Sequence, residues 1–399
     1  MTTSSLPLAG LRVVEFAHMV MGPACGLILA DLGAEVIKVE GVEGDSTRRL
    51  TGSGAGYWPT YNRNKLSFAV DLKSAEGRTA VLRLLDDADV LIENFRPGAM
   101  DRLQLGYEAL RERNTRLIYC SLKGFLSGPY EQRTALDEVV QMMGGLAYMT
   151  GPPGRPLRAG ASVNDVMGGM FGAISILAAL NERSRTGHGQ FVQSGLFENN
   201  VFLVAQHMLQ GAVTGRPAEP MPARLSAWAV YDVFETADDE HVFVGAVSDT
   251  QWKAFCSAFG LRHLAEAPEL ATNNQRVHAR DQFMPFVRER LRRLSKDDVM
   301  NRCDAAGLPF APIARPQDLY SDPHLAASDG FTTVTLPGGN AVQVPRLPVC
   351  MDGRRFATRI DLPDEGRDTA ALLRRAGYAE EDIAAMSSRG VVHVRGASQ

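Results

Sequence analysis

The 399-residue chain has only five cysteines, Cys25, Cys120, Cys256, Cys303 and Cys350, and none is spaced to hold a metal. Scattered in this way they form no disulfide framework, which predicts free thiols in a reducing cytosol. Positive charge is not in excess: 42 Lys and Arg against 46 Asp and Glu leave a net charge of -4. That balance argues against a broad nucleic-acid or anionic-membrane surface, although a local site for an anionic ligand remains open. Long apolar runs are missing too. The longest, Val166 to Leu180, contains Gly168, Gly169 and Gly172 and is too short for a bilayer span. The opening Met-Thr-Thr-Ser-Ser has neither the basic region nor the apolar core of a signal peptide. The expectation is a cytoplasmic globular protein with no membrane and no nucleic-acid partner. Nothing repeats internally.

What is present is an alternation of strands and helices. Leu11–Phe16 is a β-rich run, Gly22-Pro23 opens a helix through Leu32, Gly33 stops it, and Glu35–Val39 is a second strand. Ser67–Val70, a helix over 75–85, Asp89–Ile92 and Leu117–Ser121 continue the pattern. Such an order predicts a mostly parallel sheet with helices on both faces. Glu40 stands where a dinucleotide-binding sheet has its ribose acid, but the first turn, His18 to Pro23, has no G-x-G-x-x-G. Pro23 also removes an amide from the helix end that would hold a pyrophosphate. The fold is therefore expected without the dinucleotide.

The stretch Gly160 to Leu180 reads as one helix with a single acid, Asp165, near its start. From the residues alone two readings stand. Asn164 or Asp165 caps the first turn beside a glycine packing seam, or the glycines clear space so that a large electrophile reaches the carboxylate. A polar turn over 181–191 and a helix over 194–210 follow. The Pro- and Gly-containing segment 211–227 looks like a linker. The expected organisation is a large domain over 1–210, the linker, a smaller α/β domain over 228–330, and a return to the large domain over 331–399. In the smaller domain, strands are expected at Ala229–Phe234 and His241–Ala246. Helices are expected there over 249–259, 276–294 and 296–306. Two further helices near 368–376 and 380–386 precede a charged, partly mobile tail.

Several segments in register resemble the class III CoA-transferases, the family that also contains the α-methylacyl-CoA racemases. They are Leu8 to His18, Gly22-Pro23, Asp31 to Glu40, Asn62-Arg-Asn-Lys65, Asp71-Leu-Lys73, Asp89 to Gly98 and Ser121 to Phe125 with Gly128-Pro129. Gly160 to Gly169, Thr186 to Gln190, and Gly307-Leu-Pro309 with Asp322-Pro323 complete the set. The resemblance implies a Rossmann-like large domain with a smaller inserted one, and a homodimer of two interlocked rings. It implies no tightly bound cofactor and no metal, with coenzyme A and a small carboxylic acid as substrates. Asp165 matches the family's catalytic aspartate, which carries CoA as an aspartyl thioester. An ordinary Asp, with a pKa of about 4, is expected to be ionised there without a base.

The resemblance places His18, Met19, Val20 and Met21 beside the reacting carbonyl. Val20 stands where oxalate-specific members have a polar side chain, which argues against a formyl/oxalate pair. Asp137 occupies the family's acidic position at a helix start, where capping competes with a catalytic role. Arg48, Lys65, Asn94, Phe95, Arg96 and Arg102 are the regions implied for the coenzyme, with Arg49 a further candidate near Arg48. Arg224 and Trp228, with Tyr231, are candidates to frame the acid substrate, Arg224 pairing with a second carboxylate. A short C4–C5 dicarboxylate with succinyl-CoA as donor is the favoured pair. Racemisation needs a second base. Leu136 stands where the racemases have a histidine, and the loop Gly245-Ala-Val-Ser248 lacks their glutamate. A non-catalytic acyl-CoA-binding protein is the alternative from another class.

Overall fold

The computed structural model describes residues 6–224 and 226–396. The opening Met-Thr-Thr-Ser-Ser and the last three residues of the tail lie outside the described residues. The chain divides into two compact units, Met1–Pro222 with Pro323–Gln399, and Ala223–Asp322.

The larger unit is built on a seven-stranded sheet. In chain order its strands are β1 (Arg12–Phe16), β2 (Glu35–Glu40), β3 (Lys65–Val70), β4 (Val90–Glu93), β5 (Ile118–Lys123) and β6 (Phe191–Gly195). The seventh, β12 (Val392–His393), comes from the chain's end. Their spatial order is β12-β3-β2-β1-β4-β5-β6, all parallel except β12. The 3-2-1-4-5-6 part is the doubly wound order, whose switch point lies between β1 and β4.

Successive residues of these strands serve opposite faces. Val14 and Phe16 pack with Ile37, Phe68, Leu91, Leu84 and Leu372. Val13 packs with Val36, Val90, Ile118, Leu29 and Ile176 on the other face. Burial on both sides explains why the strands read as near-continuous apolar runs.

Two expectations are corrected in this unit. The glycine-rich helix runs Val163–Thr186, consuming much of the supposed turn over 181–191, and β6 follows at once. Its 24 residues are long and apolar enough to cross a membrane by length and composition alone. Here one face of it packs on the first helix (Met21–Asp31) and the sheet. Part of the supposed tail is the antiparallel strand β12, paired with Ala69 and Val70.

The smaller unit has an antiparallel sheet of β7 (Val230–Glu235), β8 (His241–Ala246) and β9 (Phe310–Pro312). Trp252, Phe255, Phe259 and Phe283 fill its core. The single helix expected over 276–294 is two helices, Asn273–His278 and Arg280–Leu291. Thr272 and Gln275 form a reciprocal capping box that starts the first. In the larger unit, β10 (Phe331–Thr335) and β11 (Ala341–Pro345) form a separate hairpin.

Candidate active site

The loops after β1 and β4 meet at the C-terminal edge of the sheet, at its switch point, where open α/β sheets bind ligands. Asn94, after β4, joins them. Its Oδ1 accepts from the His18 backbone N–H at 3.1 Å, and its Nδ2 donates to the His18 carbonyl at 2.9 Å. Met19 follows with φ +64°, a left-handed conformation that costs a non-glycine residue about 1–2 kcal/mol. Its N–H donates to Thr47 Oγ1 at 3.1 Å. The first helix starts at Met21, so the amides of its first turn have no intrahelical acceptor.

The glycine-rich helix crosses behind this turn. A Cβ on Gly168 would lie 2.4 Å from Met21 Cε, and one on Gly169 would lie 2.7 Å from the Met21 carbonyl. A Cβ on Gly172 would meet Leu122 and the Cys25 sulfur. The glycines therefore form a packing seam against the first helix, and they do not open a path for an electrophile. The seam still has a consequence at the site, because it draws Asp165 beside His18–Met21.

Asp165 does not cap its helix. The N-cap is Ser162, with no side-chain hydrogen bond. The first-turn amides are taken by Asp137, whose Oδ1 accepts from Asn164 N at 2.8 Å and from Asp165 N at 3.2 Å. Asp137 is buried, and its other oxygen accepts from Gln141. One oxygen thus holds the end of the glycine-rich helix, the capping role expected as one of its two readings, and Asp137 also lines the cavity of Asp165.

Asp165 lines a cavity of about 250 Å³ with His18, Met19, Tyr57, Lys123 and Glu138. Burial, then the charges of Asp137 and Glu138, push its carboxyl up to about 7, and Arg158 opposes the shift. Its carboxyl is thus held well above the ordinary value expected from the sequence. His18 is held below its ordinary value, first by the protein around it and also by Lys38, against the pull of Asp45. Its ring lies 5.8 Å from that of Phe95. Lys123 is committed to Glu93 at 2.7 Å and to the Phe95 carbonyl at 2.6 Å.

A second cavity of about 530 Å³ adjoins at His18 and is lined by Glu40, Asp45, Leu72, Lys73 and Phe95. Exposed Arg96 and Arg102 follow β4, and neither has an ion-pair partner among the described residues. Lys73, also exposed, escaped the sequence reading as a site residue although it stands in the Asp71-Leu-Lys73 motif. Tyr57 and Thr47 carried no signal.

Arg48 and Lys65 are corrected. Lys65 is fully buried and donates to both oxygens of Glu15, at 3.0 and 2.8 Å, and to the Pro23 carbonyl at 3.0 Å. Burial lowers its ammonium to about 8, against the stabilising charge of Glu15. Arg48 is bound twice to Glu40, at 2.9 and 2.6 Å, and stacks 3.6 Å from the Trp58 ring. Neither cation is free for a phosphate. Arg49 bonds the Glu43 carbonyl on the surface. Arg224 and Trp228 belong to the smaller unit, where the Trp228 ring lies 5.0 Å from Tyr231. Among the described residues no cluster of three or more His, Cys, Asp or Glu is arranged for a metal.

Comparison with known proteins identifies the family. The family model described as CoA-transferase family III matches residues 8–369. An acyl-CoA transferase of Fusarium pseudograminearum is 35% identical, with 98% of this chain and 89% of that protein aligned. A succinate–glutarate CoA-transferase of Agrobacterium fabrum is 32% identical over 92% of this chain and 95% of its own. Among solved structures, a CAIB/BAIF family protein from Brucella suis superposes with a TM-score of 0.82 at 33% identity, covering 93% of this chain and 100% of that one. The chain belongs to CoA-transferase family III, enzymes that transfer coenzyme A from an acyl-CoA to an acid.

Proposed function

We propose that the protein moves coenzyme A from succinyl-CoA to a short dicarboxylic acid, with Asp165 as the covalent relay. The observation that carries this reading is the Asp165 carboxylate in a small cavity that also holds Val20 and Met21, at the start of the first helix. Ionised Asp165 attacks the donor thioester carbonyl, forming a mixed anhydride and expelling CoA thiolate. The thiolate attacks the aspartyl carbonyl, giving aspartyl-CoA and releasing the donor acid. An acceptor carboxylate then attacks aspartyl-CoA, forming a second anhydride and freeing the thiolate. The thiolate takes the acceptor's acyl group and restores Asp165. No water is consumed, so thioester energy is kept.

The amides at the start of the first helix are suited to the developing oxyanions. The nucleotide end of the coenzyme is assigned to the cavity of about 530 Å³, with Phe95 and Lys73 in its lining; Arg96 lines a separate cavity of about 500 Å³.

The cavity at Asp165 is smaller than the roughly 300–1,000 Å³ of drug-sized ligand sites, which suits a small acid. Relatives at 30–32% identity are named for succinyl-CoA with D-citramalate, mesaconate or L-malate. Leu136, exposed at the cavity where a racemase would need its second base, disfavours racemisation. A homodimer belongs to the same reading. Ile174, Phe202, Met208, Leu209 and Val213 leave an apolar face on the helices 163–186 and 196–214, of the kind that marks an interface.

The test is a panel of acids offered with succinyl-CoA, read by mass spectrometry of the CoA esters formed. Transfer to C4–C5 diacids is expected. Transfer to monocarboxylic acids alone would overturn the acceptor class. Deuterium uptake at an acyl α-carbon without any acceptor would overturn the transferase assignment.

A further inference from the structure

The turn from β1 into the first helix is held from behind at every step. Buried Lys38 donates to the Ala17 carbonyl, Asn94 takes both backbone groups of His18, and Lys65 donates to the Pro23 carbonyl. Between these anchors stands Met19, the one residue of the turn in a left-handed conformation. Its N–H is held by Thr47 Oγ1 at 3.1 Å, and the same hydroxyl lies 4.0 Å from Met19 Sδ. Thr47 is 2% exposed, so it has no access to a ligand. It is fixed in turn by Asp45, whose Oδ1 accepts from Thr47 N at 2.8 Å and whose Oδ2 pairs with Lys38 at 2.9 Å.

We infer that Thr47 is a positioning residue: its hydroxyl holds Met19 in the left-handed conformation and so sets the direction of the amides that follow, at Val20 and Met21. Both residues line the cavity of Asp165. A methionine gains nothing locally from φ +64°, and such conformations persist where the surroundings impose them, commonly at reacting sites. Without the hydroxyl, Met19 relaxes toward negative φ and the next two amides turn away from the reacting carbonyl. The inference rests on the proposed relay at Asp165 but concerns a residue that never touches substrate.

The experiment is single-turnover formation of aspartyl-CoA from succinyl-CoA, in the wild type, Thr47→Val, Thr47→Ser, Met19→Gly, and Thr47→Val combined with Met19→Gly. Misplacement of this kind predicts a loss of roughly 10- to 100-fold in rate for Thr47→Val, with donor KM and melting temperature little changed. Thr47→Ser restores the rate. With glycine at position 19 the left-handed conformation carries no side-chain penalty, so the cost of Thr47→Val shrinks relative to Met19→Gly alone. A wild-type rate in Thr47→Val would overturn the inference, as would an equal loss in the glycine background. Should valine prevent folding, Thr47→Ala enters the same cycle. If the wild type itself forms no aspartyl-CoA, the relay fails. If it does, and Thr47→Val forms it equally fast, only the positioning role fails.

Discussion

Asp165 lies three residues into a helix, a place where the macrodipole favours negative charge, yet burial and two neighbouring carboxylates outweigh that effect and hold its carboxyl up near 7. Since only the carboxylate attacks a thioester, kcat/KM for the donor should climb as pH rises through about 7 and level off above it. A profile flat from pH 5 to 9 would contradict this. Stability should move the other way. The folded protein binds the Asp165 proton more tightly than the unfolded chain does. Raising pH from the unfolded value of 3.8 through about 7 therefore removes stability, and below the unfolded value the group has no effect. Asp165→Asn is expected to abolish transfer and to melt above the wild type at pH 8, with a smaller difference at pH 5. Paired thermal melts at the two pH values check this, and a variant less stable at pH 8 would speak for a capping role.

Elements fix where these residues meet. Gly169→Ala gains about 1 kcal/mol of helix propensity, but its methyl would approach the Met21 carbonyl to 2.7 Å and Cys25 N to 3.0 Å. Backbone cannot yield as a side chain does, so overpacking of roughly 1–3 kcal/mol wins. The variant should be less stable and slower, with Asp165 shifted from the turn; chemical denaturation and kcat together test it. Lys65→Met leaves Glu15 buried without its closest cation, a loss of about 3–5 kcal/mol. A coenzyme ligand would instead raise donor KM with stability intact.

This is also where sequence reading stopped. A cation neutralising a buried acid looks the same in a string of letters as one awaiting a phosphate. Glu15 and Lys65 are 50 residues apart, and only the parallel register of β1, β2 and β3 joins them. Strands β1 to β5 were legible because both their faces are buried. Strand β6 was not, since Phe191–Gly195 alternates weakly behind a polar segment. The two-residue β12 depends wholly on its partner strand. Asp165 could be found from its pattern. Its elevated pKa could not, because it comes first from burial in the folded cavity and then from Asp137 and Glu138 on another helix.

At the scale of the whole molecule, the apolar face on the helices 163–186 and 196–214 is the proposed dimer surface. Val213 is 85% and Phe202 69% exposed, and a second copy of this chain is the expected cover. Light scattering should give a dimer for the wild type, and Phe202→Asp with Val213→Asp should weaken it and lower the melting temperature. A monomeric wild type at micromolar concentration would contradict the expectation.

The most direct test of the account is the covalent state of Asp165 itself. The protein is incubated with succinyl-CoA and no acceptor acid, quenched, digested and mapped by mass spectrometry. The account predicts that the peptide containing Asp165 carries coenzyme A as a thioester, that hydroxylamine converts it to a hydroxamate, and that a dicarboxylic acid added before the quench discharges it. An active wild-type protein that forms acceptor-CoA while Asp165 stays unmodified under every quench would contradict it.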